Sequence, residues 1–169
     1  MEIRIRATGQ VLLDHEWVKW VAKTYGKSVG PLNPEVIEMF DSDPVFEGPQ
    51  ATGGTVYQYS MRQGVEQQAD GKWYTKYVLG PIFTDRPATE TEPAQTAAEQ
   101  EAAYKAVKDS EQAERVRDDR KRRLADCDWT QLADSPVDKA AWATYRQALR
   151  DVPAQAGFPW TINWPTQPE

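Results

Sequence analysis

The run RKRRLADCDWTQLADSPVDKAAWATYRQALRDVPAQAGFPWTINWPTQP, Arg120 to Pro168, decides how the second half of the chain folds. A charged helix ends near Asp126. A tight connector follows, then a short helix, then a tail rich in Pro and Trp. Ser135 is placed to cap the short helix. Pro136 suits its first position, where a backbone N–H would have no partner, and Asp138 completes a capping-box variant at the positive end of the helix dipole. Val137, Ala141, Trp142, Tyr145, Ala148 and Leu149 recur at three- and four-residue spacing, so one face is apolar, with Lys139, Arg146 and Arg150 off it. Val152-Pro153 stops the helix. Beyond it Phe158, Trp160, Ile162 and Trp164 alternate with small or polar residues. Such a segment can lay its rings along the short helix or insert them into a partner. The expected core of this module is Trp129, Leu132, Trp142, Tyr145, Phe158, Trp160 and Trp164. Fewer than about 50 residues rarely hold a core unaided, so either the preceding helix or another protein must cover it.

That preceding helix reads from Pro93 to Ala125. It is Ala-rich, carries Glu, Lys, Gln and Arg, and has no interior Gly or Pro. Its large apolar residues are few: Tyr104, Val107, Val116 and Leu124. Such a face suits an exposed arm or a loose coiled coil against another chain, a second copy included. Acidic residues gather early and basic ones late, which complements the helix dipole. Thr84 to Pro93 is polar and Pro-punctuated, and reads as a domain boundary.

The N-terminal half reads as α+β. Ile3 and Ile5 alternate with Arg4 and Arg6 in a strand, and Thr8-Gly9 turns into a second short strand through Val11. Asp14 looks like a helix cap, with Trp17, Val18, Trp20, Val21 and Tyr25 on one face and Gly26 at the end. Asn33-Pro34 starts a second helix over Val36, Ile37 and Phe40. From Asp41 to Gly54, Pro44, Gly48, Pro49, Gly53 and Gly54 argue for loop. Asp70-Gly71 turns a hairpin whose return strand is Lys72 to Leu79, and Gly64-Val65 marks a bulge. The predicted fold is a small antiparallel sheet with helices (residues 1–87), a long connecting helix (88–126) and a helical-aromatic module (127–169). Trp17, Trp20, Trp73 and Tyr77 are the candidate docking surface of the first part.

Several function classes find no support. The chain of 169 residues has a net charge of −6. The basic run Arg120 to Arg123 has Asp118, Asp119 and Asp126 beside it, so a solvated helix end explains it better than nucleic-acid binding. One cysteine and one histidine cannot build a metal site or an internal disulfide, and Cys127 reads as a small core residue beside Trp129. His15 stands between Asp14 and Glu16 with no nucleophile near it in sequence. A calcium loop from Asp41 would need Gly at Phe46 and Glu at Thr52. Gly53-Gly54 lacks the Lys of a phosphate loop. MEIRIRATG has no signal-peptide core, and no stretch approaches the ~20 apolar residues of a membrane span. Seven Trp and seven Tyr are a heavy aromatic load, usable in a core or at an interface.

DWTQLADSPVDKAAWATYRQALRD followed by GFPWTINWPTQP resembles the C-terminal module of bacteriophage tail assembly chaperone and tail-fibre assembly proteins. The shared elements are an R-L-A-x-x-D-W-T-Q pattern (Arg123 to Gln131), a W-x-x-Y-R-Q-x-L-R-D helix (Trp142 to Asp151) and an F-P-W…W-P tail (Phe158 to Pro165). DPVFEGPQ and DGKWYTKYV also look like leaders of small phage tail-region proteins. The resemblance implies a non-enzymatic phage tail protein without cofactor. It would bind tail-fibre or baseplate proteins in the host cytoplasm during assembly, and neither nucleic acid nor membrane. The alternative implied is a permanent fibre or baseplate connector in the virion tail.

Overall fold

The structure is a computed structural model that describes residues 1–168. The chain divides into two compact units, Met1–Ile82 and Phe83 to the C-terminus.

The first unit is a five-stranded sheet with two helices. β1 (Glu2–Ile5) pairs antiparallel with β2 (Val11–Leu13), and α1 (Asp14–Tyr25) and α2 (Pro34–Glu38) follow. β3 (Ser42–Phe46), β4 (Tyr59–Gln67) and β5 (Trp73–Gly80) complete the order β2-β1-β3-β5-β4. Leu13, not Asp14, is the cap of α1: its N–H donates to the Glu16 carboxylate at 3.0 Å, and Asp14 is the first helical residue. Asn33 caps α2 as expected, its Oδ1 accepting from the Val36 N–H at 2.8 Å. Ile3, Ile5, Trp17, Val21, Ile37 and Phe40 form the core.

The α+β class stands, but the sheet is mixed, because Asp41 to Gly54 is not all loop. β3 lies in its middle, antiparallel to β1 and parallel to β5. Proline in a central strand looks prohibitive until the ladder is followed. The Arg6 N–H donates to Asp41 O at 2.9 Å, so that facing pair is hydrogen-bonded. Antiparallel pairs alternate, which makes Ile3 and Pro44, three pairs along, a non-bonded pair. The nitrogen of Pro44 therefore faces the β5 side, where pairing begins only at Val45 with Trp73. The expected bulge is present: register shifts between Arg62 and Val65, and Gly64 takes φ 83°, a conformation that disfavours any side chain.

The second unit is built on α3 (Ala97–Asp126), 30 residues long. The preceding segment folds back on it. Arg86 and Gln95 exchange backbone hydrogen bonds, Asp85 Oδ1 accepts from the Ala97 N–H at 2.7 Å, and Gln100 Nε2 donates to Thr84 O at 2.7 Å. A 3-10 turn (Asp128–Gln131), α4 (Lys139–Asp151) and a second 3-10 turn (Val152–Ala154) follow.

Candidate interaction site

α4 starts three residues later than expected. Its cap is Asp138, whose Oδ1 accepts from the N–H groups of Ala140 and Ala141 at 2.9 and 3.1 Å. Ser135 instead donates its hydroxyl to Thr130 O at 3.1 Å. Pro136 and Val137 thus belong to the connector. The Lys139 ammonium turns back on this connector and donates to Thr130 O at 3.1 Å, to Ser135 Oγ at 2.7 Å and to Leu132 O.

The inward face of α4 is Trp142, Tyr145, Arg146 and Leu149. Trp142 and Tyr145 meet edge-to-face at 5.7 Å, and both pack with Leu149 and Cys127. Arg146 was expected off this face and lies on it, only 8% exposed. The helix period accounts for the error: positions 142, 146 and 149 are i, i+4 and i+7, so the side chain points inward whatever its charge. Its Nη1 donates to Leu124 O at 2.9 Å and to Cys127 Sγ at 3.0 Å, and its Nη2 to Asp128 Oδ1 at 2.8 Å. The Leu124 carbonyl lies in the last turn of α3, where the Cys127 N–H reaches it only at 3.3 Å, so a side chain from α4 helps to close α3. Burial pulls the Arg146 guanidinium down, but its bonds to Asp128 and Cys127 outweigh this and hold it above the usual arginine value.

The tail aromatics make contact with α3 as well as with the α4 core. Trp160 Nε1 donates to Asp109 Oδ1 at 2.6 Å. The Arg117 guanidinium stands 5.4 Å from the Phe158 ring centroid, and that of Arg123 stands 4.3 Å from Trp164. Trp164 also packs against the Trp142 cluster. The turn at the head of the tail is too tight for a side chain on Gly157, where a Cβ would lie 2.4 Å from Thr161 O. Ala113 and Val116 are the buried residues of α3. The second half of the long helix thus supplies the cover that the short aromatic module needs.

Two residues expected in this core are exposed. Trp129 touches Trp142 edge-on at 6.1 Å but is 49% exposed, and Leu132 is 59% exposed. Thr130, between them, is fully buried, its hydroxyl donating to Cys127 O at 2.7 Å. In the first unit Trp17, expected on a docking surface, is fully buried. Its Nε1 donates to Ser42 Oγ at 3.0 Å and its ring meets Phe40 at 5.8 Å. It is an anchor of the core, because the apolar face of α1 must cover Ile3 and Ile5. Trp20 is half-buried against Tyr25. The Arg4 guanidinium caps Trp73 at 3.8 Å, and the Tyr77 hydroxyl donates to Glu47 at 2.6 Å. The structure does not bring these four together as one surface.

A cleft of about 290 Å³ at the end of α3 is lined by Asp119, Arg122, Arg123, Asp126, Cys127, Tyr145 and Gln167, so its charges largely cancel. Among the described residues no group of three or more His, Cys, Asp or Glu could hold a metal ion. Among the described residues no helix is long and apolar enough to cross a membrane.

Residues 113–169, a third of the chain, match the family model described as phage tail assembly chaperone protein. The match begins at Ala113, the first buried residue of α3, and takes in α4 and the tail. No curated protein and no solved structure gives a significant match to the chain.

Proposed function

We propose that this chain assists assembly of a bacteriophage tail by binding a tail-fibre or baseplate protein in the host cytoplasm. The carrying observation is that the match falls within one compact unit: residues 113–169 hold the Trp142, Tyr145 and Leu149 core, the Arg146 bonds and the contacts of Arg117 and Arg123 with the tail rings. The mechanism is associative. One surface of the chain holds a subunit until it is incorporated, and no bond is made or broken.

The test is co-expression with the neighbouring tail-fibre protein, with mass spectrometry of purified particles. The expected result is a fibre that is soluble and assembled only in the presence of this chain, and particles that lack the chain. A fibre equally soluble and assembled alone overturns the proposal. Stoichiometric recovery of the chain in particles replaces it with a permanent connector in the virion tail.

A further inference from the structure

Residues 155–163 form a closed loop held in shape by its own bonds. The Gln155 side chain ties the two ends together: its Oε1 accepts from the Asn163 N–H and its Nε2 donates to Asn163 O, both at 2.9 Å. Within the loop the Phe158 N–H donates to Gln155 O at 3.0 Å, and the N–H groups of Trp160 and Thr161 donate to Gly157 O at 2.9 and 2.7 Å. The chain is anchored on either side, by the fully buried Val152 before the loop and by Trp164, packed on the Trp142 cluster, after it. Loops whose ends meet in this way are packed by their own groups, so the shape does not depend on the helix beneath.

The hold of this loop on α3 is of another kind. Among the described residues no backbone–backbone hydrogen bond joins the two. The Trp160 indole N–H donates to the Asp109 carboxylate at 2.6 Å, a short charge-assisted bond, and the Arg117 guanidinium stands 5.4 Å from the Phe158 ring, a weak attraction at an exposed site. Phe158, Trp160 and Ile162 are all half-buried. A cleft of about 460 Å³ stays open between helix and tail, with Val116, Asp119 and Arg122 on one side and Trp160, Ile162 and Trp164 on the other. A close-packed contact leaves no such space. Segments with few buried contacts open locally while the core stays closed. We propose, resting on the assembly reading above, that this loop is a latch. It swings off α3 in one piece, the Trp160–Asp109 bond is its catch, and opening presents Phe158, Trp160 and Ile162 to the tail protein that the chain binds.

The test follows the full-length protein by NMR and by binding. Asp109→Ala removes the acceptor and suits a helix. The Trp160 indole N–H should then exchange with water about tenfold faster than in the parent, the size of one charge-assisted bond. The amides of Thr161 and Asn163, bonded inside the loop, should keep their exchange rates, and Trp142 its signals. Asp109→Asn, which keeps the shape and removes the charge, should fall between the two and serves alone if Asp109→Ala disturbs α3. An indole N–H that exchanges no faster in either variant overturns the proposal, because the bond is then no catch. So does a joint loss of protection at Thr161, Asn163 and Trp142, because the loop then has no shape of its own. The neighbouring tail-fibre protein should bind Asp109→Ala about tenfold more tightly than the parent, and adding Trp160→Ala should abolish the gain. Equal or weaker binding by Asp109→Ala overturns the latch and leaves the assembly reading intact. A fibre protein that binds neither parent nor variant removes the assembly reading and the presentation with it, and the exchange rates then decide the motion alone.

Discussion

An arginine on the inward face of a helix costs several kcal/mol unless its donors are met, and Arg146 meets most of them at one place. Two donors go to Leu124 O and Cys127 Sγ at the end of α3 and one to Asp128 in the turn that follows, while its Nε finds no protein partner. Replacing it by Ala removes a charged donor from the Leu124 carbonyl. We expect a loss of about 2–3 kcal/mol in the C-terminal unit, read as a lower Tm and urea midpoint. Lys should rescue little, since an ammonium cannot span three acceptors in the plane of a guanidinium. Asp128→Asn should cost under about 1 kcal/mol, because the Asp128 side chain is mostly exposed and its ion pair is screened. If Arg146→Ala melts no earlier than Asp128→Asn, the arginine does not fasten the helices.

The caps are matters of whole elements. Asp138 caps α4, so Asp138→Ala should cost about 1 kcal/mol, whereas Ser135→Ala should leave the start of α4 intact and loosen the connector instead. Amide exchange at Ala140 and Ala141 separates the two. At the start of α3 the Thr96 N–H and hydroxyl donate to the Glu99 carboxylate at 2.8 and 2.9 Å, and the Thr96 hydroxyl accepts from the Glu99 N–H at 3.2 Å. The backbone bond from Thr96, and after it the hydroxyl bond, hold the Glu99 carboxyl below the usual glutamate value. A depressed carboxyl contributes stability that is full above its unfolded value, near ~4.3, and is lost as pH falls through the folded one. The first turn of α3 should therefore fray in acid, and Glu99→Gln should abolish that dependence. A carbon-detected NMR titration placing Glu99 at or above an unperturbed glutamate would refute the assignment.

Elements with strong local punctuation were legible in the sequence. The Asn33-Pro34 start, the Asp70-Gly71 hairpin, the bulge at Gly64 and the stop at Val152-Pro153 each follow from a single residue's backbone preference. β3 was not legible, because Pro44 argues against a strand until its neighbours are known and only the β1 register shows its missing N–H to be harmless. The α4 face was legible at Trp142, Tyr145 and Leu149, which fit both period and polarity. Arg146 fits the period alone, and charge suggested the opposite face. Ser135-Pro136 matches a known helix start with Asp138 as its capping-box partner, but Asp138 is itself the cap, α4 begins at Lys139 and Ser135 is left to the connector. That the tail would run along α3 depends on Asp109, Arg117 and Arg123 meeting rings far along the chain, contacts that no local spacing announces.

At the scale of the molecule, two cores share no residue: Ile3, Ile5, Trp17, Val21, Ile37 and Phe40 in one unit, and Cys127, Trp142, Tyr145 and Leu149 in the other. Cooperativity follows shared burial, so unfolding should proceed in two steps rather than one. Trp17→Ala empties the centre of the first core and strands Ser42, whose hydroxyl accepts the indole N–H. A loss of about 3–5 kcal/mol is expected there, a large part of an ordinary margin of about 5–15 kcal/mol, so the first step should move to much lower denaturant. The second step should keep its midpoint, and the Trp142 cluster should keep its NMR signals. Chemical denaturation followed by Trp fluorescence, with Trp17→Ala and Arg146→Ala compared side by side, reads both steps at once. Each variant should move one transition and leave the other in place. A single transition that both variants shift equally would mean that the chain unfolds as one body and that the aromatic module has no stability of its own to bring to a partner.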